Sequence, residues 1–179
     1  MAAKVLAFGG AELSEDRTKR YLLWRPTGVR GGKTCTFVML NPSDADEAVD
    51  DATVRRCIGF AARWGFSTMK IVNLFAFRTP HPKKLAQLVD AAGGVRDTKN
   101  IARVRLACKD AFVVCAWGAH GKLNGQDERV ARILELDGVR LHALGFCANG
   151  CPKHPVRLPS KLTPVPWRHE RCVWECNLP

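Results

Sequence analysis

Residues 34–78 read TCTFVMLNPSDADEAVDDATVRRCIGFAARWGFSTMKIVNLFAFR. An unbroken apolar run, Cys35 to Leu40, stops at Asn41-Pro42-Ser43, because Pro42 has no N–H to give a strand ladder. An acidic loop, Asp44 to Asp51, leads into a stretch with Val54, Cys57, Ile58, Ala61 and Ala62 on one helical face. Asp51 suits the N-cap of that helix, and Gly65 its C-terminal cap. A second apolar run, Met69 to Phe77, ends at Arg78. Strand, loop, helix, strand is a βαβ unit, and strands apolar on both faces belong at the centre of a covered sheet. Open α/β sheets bind ligands at the carboxyl ends of their strands. The residues around Asn41 are therefore where function is expected first.

Upstream, Arg20 to Pro26 alternates enough for an edge strand closed by Pro26. Thr27 to Lys33 is a glycine-rich, basic turn. Downstream, Pro82 opens a short helix to Ala91. Asp97 to Asp110 reads as another, with Ile101, Val104, Leu106 and Ala107 on or near its apolar side. Ala111 to Trp117 is a third apolar strand, closed by Gly118. Gly125 to Leu136 is an amphipathic helix, Val139 to Leu144 a short fourth strand, and residues 145–179 a proline-rich, loop-like segment. Neither an internal repeat nor a linker divides the chain. The expectation is one domain, 1–179, of three layers, α/β/α, with a mostly parallel sheet of four to five strands.

No run of about 18 apolar residues marks a membrane span, and Met1 to Gly10 is too short and weakly apolar for a signal peptide. The expected location is the cytoplasm. The net charge is +11, from 28 Lys and Arg against 17 Asp and Glu. That favours a polyanionic partner, nucleic acid first; a scattered surface charge is the competing explanation. Basic residues gather in 17–30 and 153–171, acidic ones in 44–51.

Of eight cysteines, Cys35, Cys57, Cys108 and Cys115 fall within expected strands and helices and read as buried free thiols. Cys147, Cys151, Cys172 and Cys176 form two C-x3-C pairs in loop-like sequence. They are candidate ligands for a structural zinc, with unconnected cysteines as the alternative. No cofactor is expected for catalysis.

Three polar elements are expected to meet at the carboxyl edge of the sheet: Asn41-Pro42-Ser43, Asn73 within Val72 to Arg78, and His154-Pro155. Asn before Pro is also an ordinary turn residue, and a lone His is often a surface group. Asn73 is harder to dismiss, since buried amides need partners, whether a ligand or the backbone. Alternation places residues 71, 73, 75 and 77 on one face. Arg55-Arg56 reads as a solvated helix face, and Arg78, at a strand end, as a phosphate contact.

The motifs R-Y-x-L-W-R from Arg20, M-L-N-P-S-x-A-D from Met39, D-D-x-T-x-R-R-C from Asp50, N-L-F-A-F-R from Asn73, A-W-G from Ala116 and H-P at His154 occur in order. The chain thereby resembles the bacterial and phage family known as domain of unknown function 1643, over Arg20 to Trp167, with 168–179 as a C-terminal extension. The order of motifs is also similar to that of the uracil-DNA glycosylase superfamily, whose fold the resemblance implies. There an Asn or Asp in a loop after the first strand positions the attacking water, a later Asn reads the base edge, and a late His stabilises the departing base. The resemblance assigns these roles to Asn41, Asn73 and His154, with Ser43 and Arg78 beside the substrate. The chain departs from that pattern at Met39, where the superfamily has Gly, and at Val156, where it has Ser. No aromatic lies in 43–53, so Phe75, Phe77 or Trp117 would have to stack on the base.

The expected function is excision of, or action on, a modified base in nucleic acid, DNA before RNA. Two alternatives stand beside it. One is a non-catalytic binder of nucleic acid or a modified base. The other is an enzyme on a free nucleoside or nucleotide, with a metal at Asp44 to Asp51.

Overall fold

The computed structural model describes residues 8–92 and 97–169. Its seven strands are β1 (Gly10–Leu13), β2 (Arg20–Pro26), β3 (Thr34–Met39), β4 (Thr68–Asn73), β5 (Phe112–Cys115), β6 (Leu141–Ala143) and β7 (Val165–Trp167). The helices are α1 (Ala52–Arg63), α2 (Pro82–Ala91), α3 (Thr98–Cys108) and α4 (Gln126–Leu136), with a 3-10 turn at Pro155–Arg157. No helix among the described residues is long and apolar enough to cross a membrane.

The strands form one sheet in the order β1-β2-β4-β3-β5-β6-β7. The central four, β4, β3, β5 and β6, run parallel. β1, β2 and β7 join antiparallel. The expected count of four to five mostly parallel strands is thus corrected to a mixed sheet of seven. The added edge strands are short: β7 has three residues with Pro166 among them, and β1 has four. Such pieces carry too little alternation to read from sequence. β2 is no edge strand, since β1 covers its outer side.

Period-two alternation divides the core into two clusters. Cys35, Phe37, Met39, Met69 and Ile71 pack with Val54, Cys57, Phe60 and Ala61 of α1. Val38, Val72, Val113 and Cys115 pack with Leu85 and Val89 of α2, Val104 and Ala107 of α3, and Val130 and Leu134 of α4. Helices therefore cover both faces. α1 turns Phe60 inward where Ala62 was expected, and Leu106 of α3 is exposed. The four cysteines of the secondary structure are buried free thiols, and burial pushes that of Cys108 up to about 12.

From β3 the chain passes through α1 to β4 on one side, then through α2 and α3 to β5 on the other. The strand order therefore reverses around β3. A crevice opens at the carboxyl ends of strands where such crossovers diverge. The residues just past Met39 occupy that position.

Candidate functional site

Asp51 caps α1, its Oδ1 accepting from Val54 N at 2.8 Å. This fixes the helix N-terminus at the end of the 41–51 loop, at the carboxyl edge of the sheet. Asn41 fixes the loop's start. Its Nδ2 donates to the carbonyls of Thr79 at 2.7 Å, Pro42 at 2.9 Å and Phe77 at 3.3 Å. Three surrounding carbonyls settle which end of the amide is nitrogen. Its Oδ1 takes no hydrogen bond from a described residue and remains available as an acceptor.

β4 ends at Asn73, earlier than the expected Phe77. Leu74 N and Phe75 N turn toward β3 and donate to Met39 O and Leu40 O, while Ala76 O rejoins Arg20 N of β2. The bend is held by two carboxamides. Asn100 Nδ2 donates to Asn73 O at 3.0 Å and Leu74 O at 3.2 Å, and Gln126 Nε2 donates to Leu74 O at 3.1 Å. The bend breaks the expected alternation. Asn73 pairs with Met39 on the α1 side, whereas Phe75 lies in the opposite cluster. Trp117 is in that cluster too, edge-on to Trp167 at 5.5 Å. The structure therefore brings Asn41 and Asn73 to one edge, with Phe75 and Trp117 packed in the core behind it.

Asn73 is 2% exposed, yet neither end of its side-chain amide hydrogen-bonds a described residue. Its amide atoms are not among those sealed from solvent without a partner. It is an amide unengaged by the described residues at the carboxyl edge of the sheet. His154 stands on the same side. The Pro155–Arg157 turn packs against α1, and Leu158 beyond it joins the α1 cluster. Gly118 N donates to Pro152 O at 2.8 Å. Gly118 has φ +75, and a Cβ there would lie 3.4 Å from His154 Cβ. The left-handed backbone favours glycine there. His154 Nδ1 accepts from Val156 N at 3.4 Å, which leaves Nε2 to carry the proton of the neutral ring. Burial lowers its pKa from 6.5, opposed by the charge of Asp51.

Arg56 differs from its expected role as a solvated residue. Its Nη2 donates to Leu158 O, and its guanidinium lies 4.9 Å over the Phe60 ring. It straps the His154 segment to α1. Ser43 is half-buried, and its carbonyl faces Arg78 Nε at 3.5 Å.

Arg20 and Arg25, both buried in β2, were not anticipated as site residues. Arg25 pairs with Asp50 at 2.8 Å. Arg20 is 3% exposed and donates from Nη1 to Ala45 O at 2.6 Å, with its Nε unpartnered. The only sequence signal was their place in the R-Y-x-L-W-R motif; an Arg within a strand otherwise reads as surface.

Cys147 and Cys151 share one turn, with Cys147 N donating to Cys151 O at 2.8 Å. Cys172 and Cys176 lie outside the described residues, so the expected four-cysteine zinc set is half described. Among the described residues no group of three or more His, Cys, Asp or Glu side chains is placed to hold a metal, the acidic loop included.

Fold and cleft define an α/β protein with a polar, partly buried site at the carboxyl edge of a parallel four-strand block. The chain belongs to the family described as "Protein of unknown function (DUF1643)", whose model matches residues 20–156. No curated protein and no solved structure matches it.

Proposed function

We propose that this protein is an N-glycosylase-like hydrolase that takes a modified nucleic-acid base into the cleft beside Asn73 and releases it. The observation that carries the reading is the Asn73 amide, 2% exposed and without a protein partner. A base edge offering one donor and one acceptor would pair with both ends of such an amide. The order of sequence motifs, similar to that of the uracil-DNA glycosylase superfamily, supports the same assignment. Asn41 Oδ1 holds the water. Water oxygen bonds to the sugar C1′ as the C1′–N bond breaks. The electron pair leaves on the base nitrogen, which His154 Nε2–H stabilises. The proton lost by water ends on the departing base, giving free base and a C1′ hydroxyl. A neutral His154 suits a donor that must face a base in its pocket without carrying charge there.

DNA carrying assorted modified bases, incubated with the protein and analysed by mass spectrometry, should yield free base and abasic sites. One observation favours a second reading, a binder without turnover. Asn41 is not a base, and four of the five nearby loop carboxylates are engaged, Asp44 being the exception. Asp46 accepts from Ala48 N and Val49 N, Glu47 pairs with Arg17, Asp50 with Arg25, and Asp51 caps α1. Salt-dependent DNA binding with no released base would select it.

A further inference from the structure

Five arginines surround the 43–50 loop; Arg55 donates from Nη1 to Asp50 O at its far end, and the partners of the other four separate them into two pairs. Arg17 is neutralised by Glu47 at 3.0 Å and Asp46 at 3.7 Å, and Arg25 by Asp50 at 2.8 Å. Arg20 and Arg78 join no ion pair among the described residues. Arg78 is half-buried and donates only to carbonyls, those of Arg17 at 3.2 Å, Asp44 at 3.3 Å and Ser43 at 3.5 Å. These are long contacts for a charged donor. Arg20 donates from one nitrogen to Ala45 O. Its Nε is sealed and unpartnered, and its Nη2 hydrogen-bonds no described residue. The two guanidiniums thus grip three successive carbonyls, 43 to 45, from either side, directly after Asn41-Pro42.

A buried charge without a counter-charge is expensive. Burial, joined by the charges of Arg78 and Arg25, pulls the pKa of Arg20 down to about 10. It stays charged at neutral pH even so. The main opposing field is that of Asp51, more than ion-pair distance away and already accepting from Val54 N. The arrangement has two forks of donors, neither with a carboxylate within ion-pair distance among the described residues. Guanidinium forks match the oxygens of a phosphate.

We propose that Arg20 and Arg78 form a phosphate clamp on the Ser43–Ala45 rim of the cleft, taking the phosphate attached to the nucleoside whose base enters beside Asn73. The nucleoside part of this assignment rests on the function proposed above; the anion site rests on the two arginines alone.

The test is a titration of arginine-15N-labelled protein with inorganic phosphate, followed at the Nε–Hε resonances. The Arg20 resonance should move saturably, while that of Arg25, held by Asp50, stays in place. Potassium chloride at matched ionic strength should not reproduce the shift. Arg78→Gln should weaken phosphate binding about tenfold or more, as loss of a charged hydrogen bond does, with the Arg25 resonance reporting an intact fold. Arg20→Gln should do the same if it folds. An equal response to chloride, or unchanged phosphate affinity in Arg78→Gln, overturns the clamp. Thymidine, thymidine 5′-monophosphate and the dinucleoside monophosphate TpT separate the sources. Competition by TpT identifies a polymer backbone and competition by the monoester a free nucleotide; either upholds the clamp. If neither competes better than thymidine, the site takes an adventitious ion only and the nucleoside phosphate is refuted. Base release without an Arg20 response removes the clamp and leaves the hydrolase. An Arg20 response without base release does the reverse.

Discussion

Replacing Asn73 by Leu should leave stability unchanged or slightly raised while abolishing function. Asn73 is 2% exposed and its side chain engages no described residue. Leu is close in shape and joins Met39 and Ile71, already in the α1 cluster. The Asn73 amide atoms are not sealed from solvent, so removing them returns less than the roughly 1–3 kcal/mol of a sealed unpaired amide, and each kcal/mol moves the Tm of a chain this size by about 2–4 °C. Asn100 supplies the control, since it is 1% exposed but donates to the carbonyls of Asn73 and Leu74 at 3.0 and 3.2 Å. Asn100→Leu orphans Asn73 O and should lose roughly 1–3 kcal/mol. Asn100 Oδ1 is itself sealed and unpartnered, which offsets part of that loss, so the two asparagines should differ by the worth of the Asn100 donations, with Asn100→Leu the less stable. Urea unfolding and calorimetric Tm measure both, and released base or oligonucleotide binding measures function. A loss of more than about 1 kcal/mol in Asn73→Leu would mean that its amide has a structural partner, and the base-reading role would fall with it.

The pH dependence of stability should carry the signature of His154. Its folded pKa is lowered from 6.5 by burial, so the unfolded chain protonates first. Stability therefore falls as pH drops below 6.5 and levels off beneath the folded value. Tm measured against pH should show that component in the wild type and lose it in His154→Gln. Asp51→Asn keeps an effective N-cap but removes the charge that raises the His154 pKa. The His154 titration, followed by NMR, should move lower still with little change in Tm; an upward move would refute the proximity of the two groups. Arg56→Leu frees Leu158 O from its strap and should speed proteolysis within 153–162 while costing about 1–2 kcal/mol, with an unchanged cleavage pattern counting against the strap.

The local features of the chain were legible because each rests on short-range chemistry. Asp51 and Gly65 bracket α1 as capping rules require, with Gly65 at φ +83. The apolar runs from Cys35, Met69 and Ala111 became the buried parallel strands β3, β4 and β5. What failed was set by partners distant in sequence. The end of β4 looked continuous to Phe77, because Leu74 and Phe75 are as apolar as what precedes them. The bend is imposed by Asn100 and Gln126, 26 and 52 residues away from Leu74. Phe75 consequently moved to the face opposite Asn73, and the stacking role expected of it lost its geometry.

The same distinction explains why Asn41, Asn73 and His154 could be singled out and Arg20 could not. The first three are polar residues interrupting apolar or proline-marked sequence, and the interruption is itself the signal. Arg20 begins a strand next to Lys19, in a region where basic residues are common, and nothing local says that its guanidinium is buried. Its burial comes from Ala45, 25 residues away, and from Ala76, whose carbonyl takes the Arg20 N–H. Its missing counter-charge follows from which carboxylates the other arginines have taken: Glu47 and Asp46 by Arg17, Asp50 by Arg25. A surplus of charge on one side chain is thus a property of the whole loop. Charge exchange at Asp50 would test that allocation. Asp50→Asn should strip Arg25 of its carboxylate and add it to the guanidiniums around the loop that have none. Phosphate should then bind more tightly, and thermal stability measured in chloride alone should fall. If added phosphate recovers Asp50→Asn no more than it stabilises the wild type, the loop does not share its charge in this way.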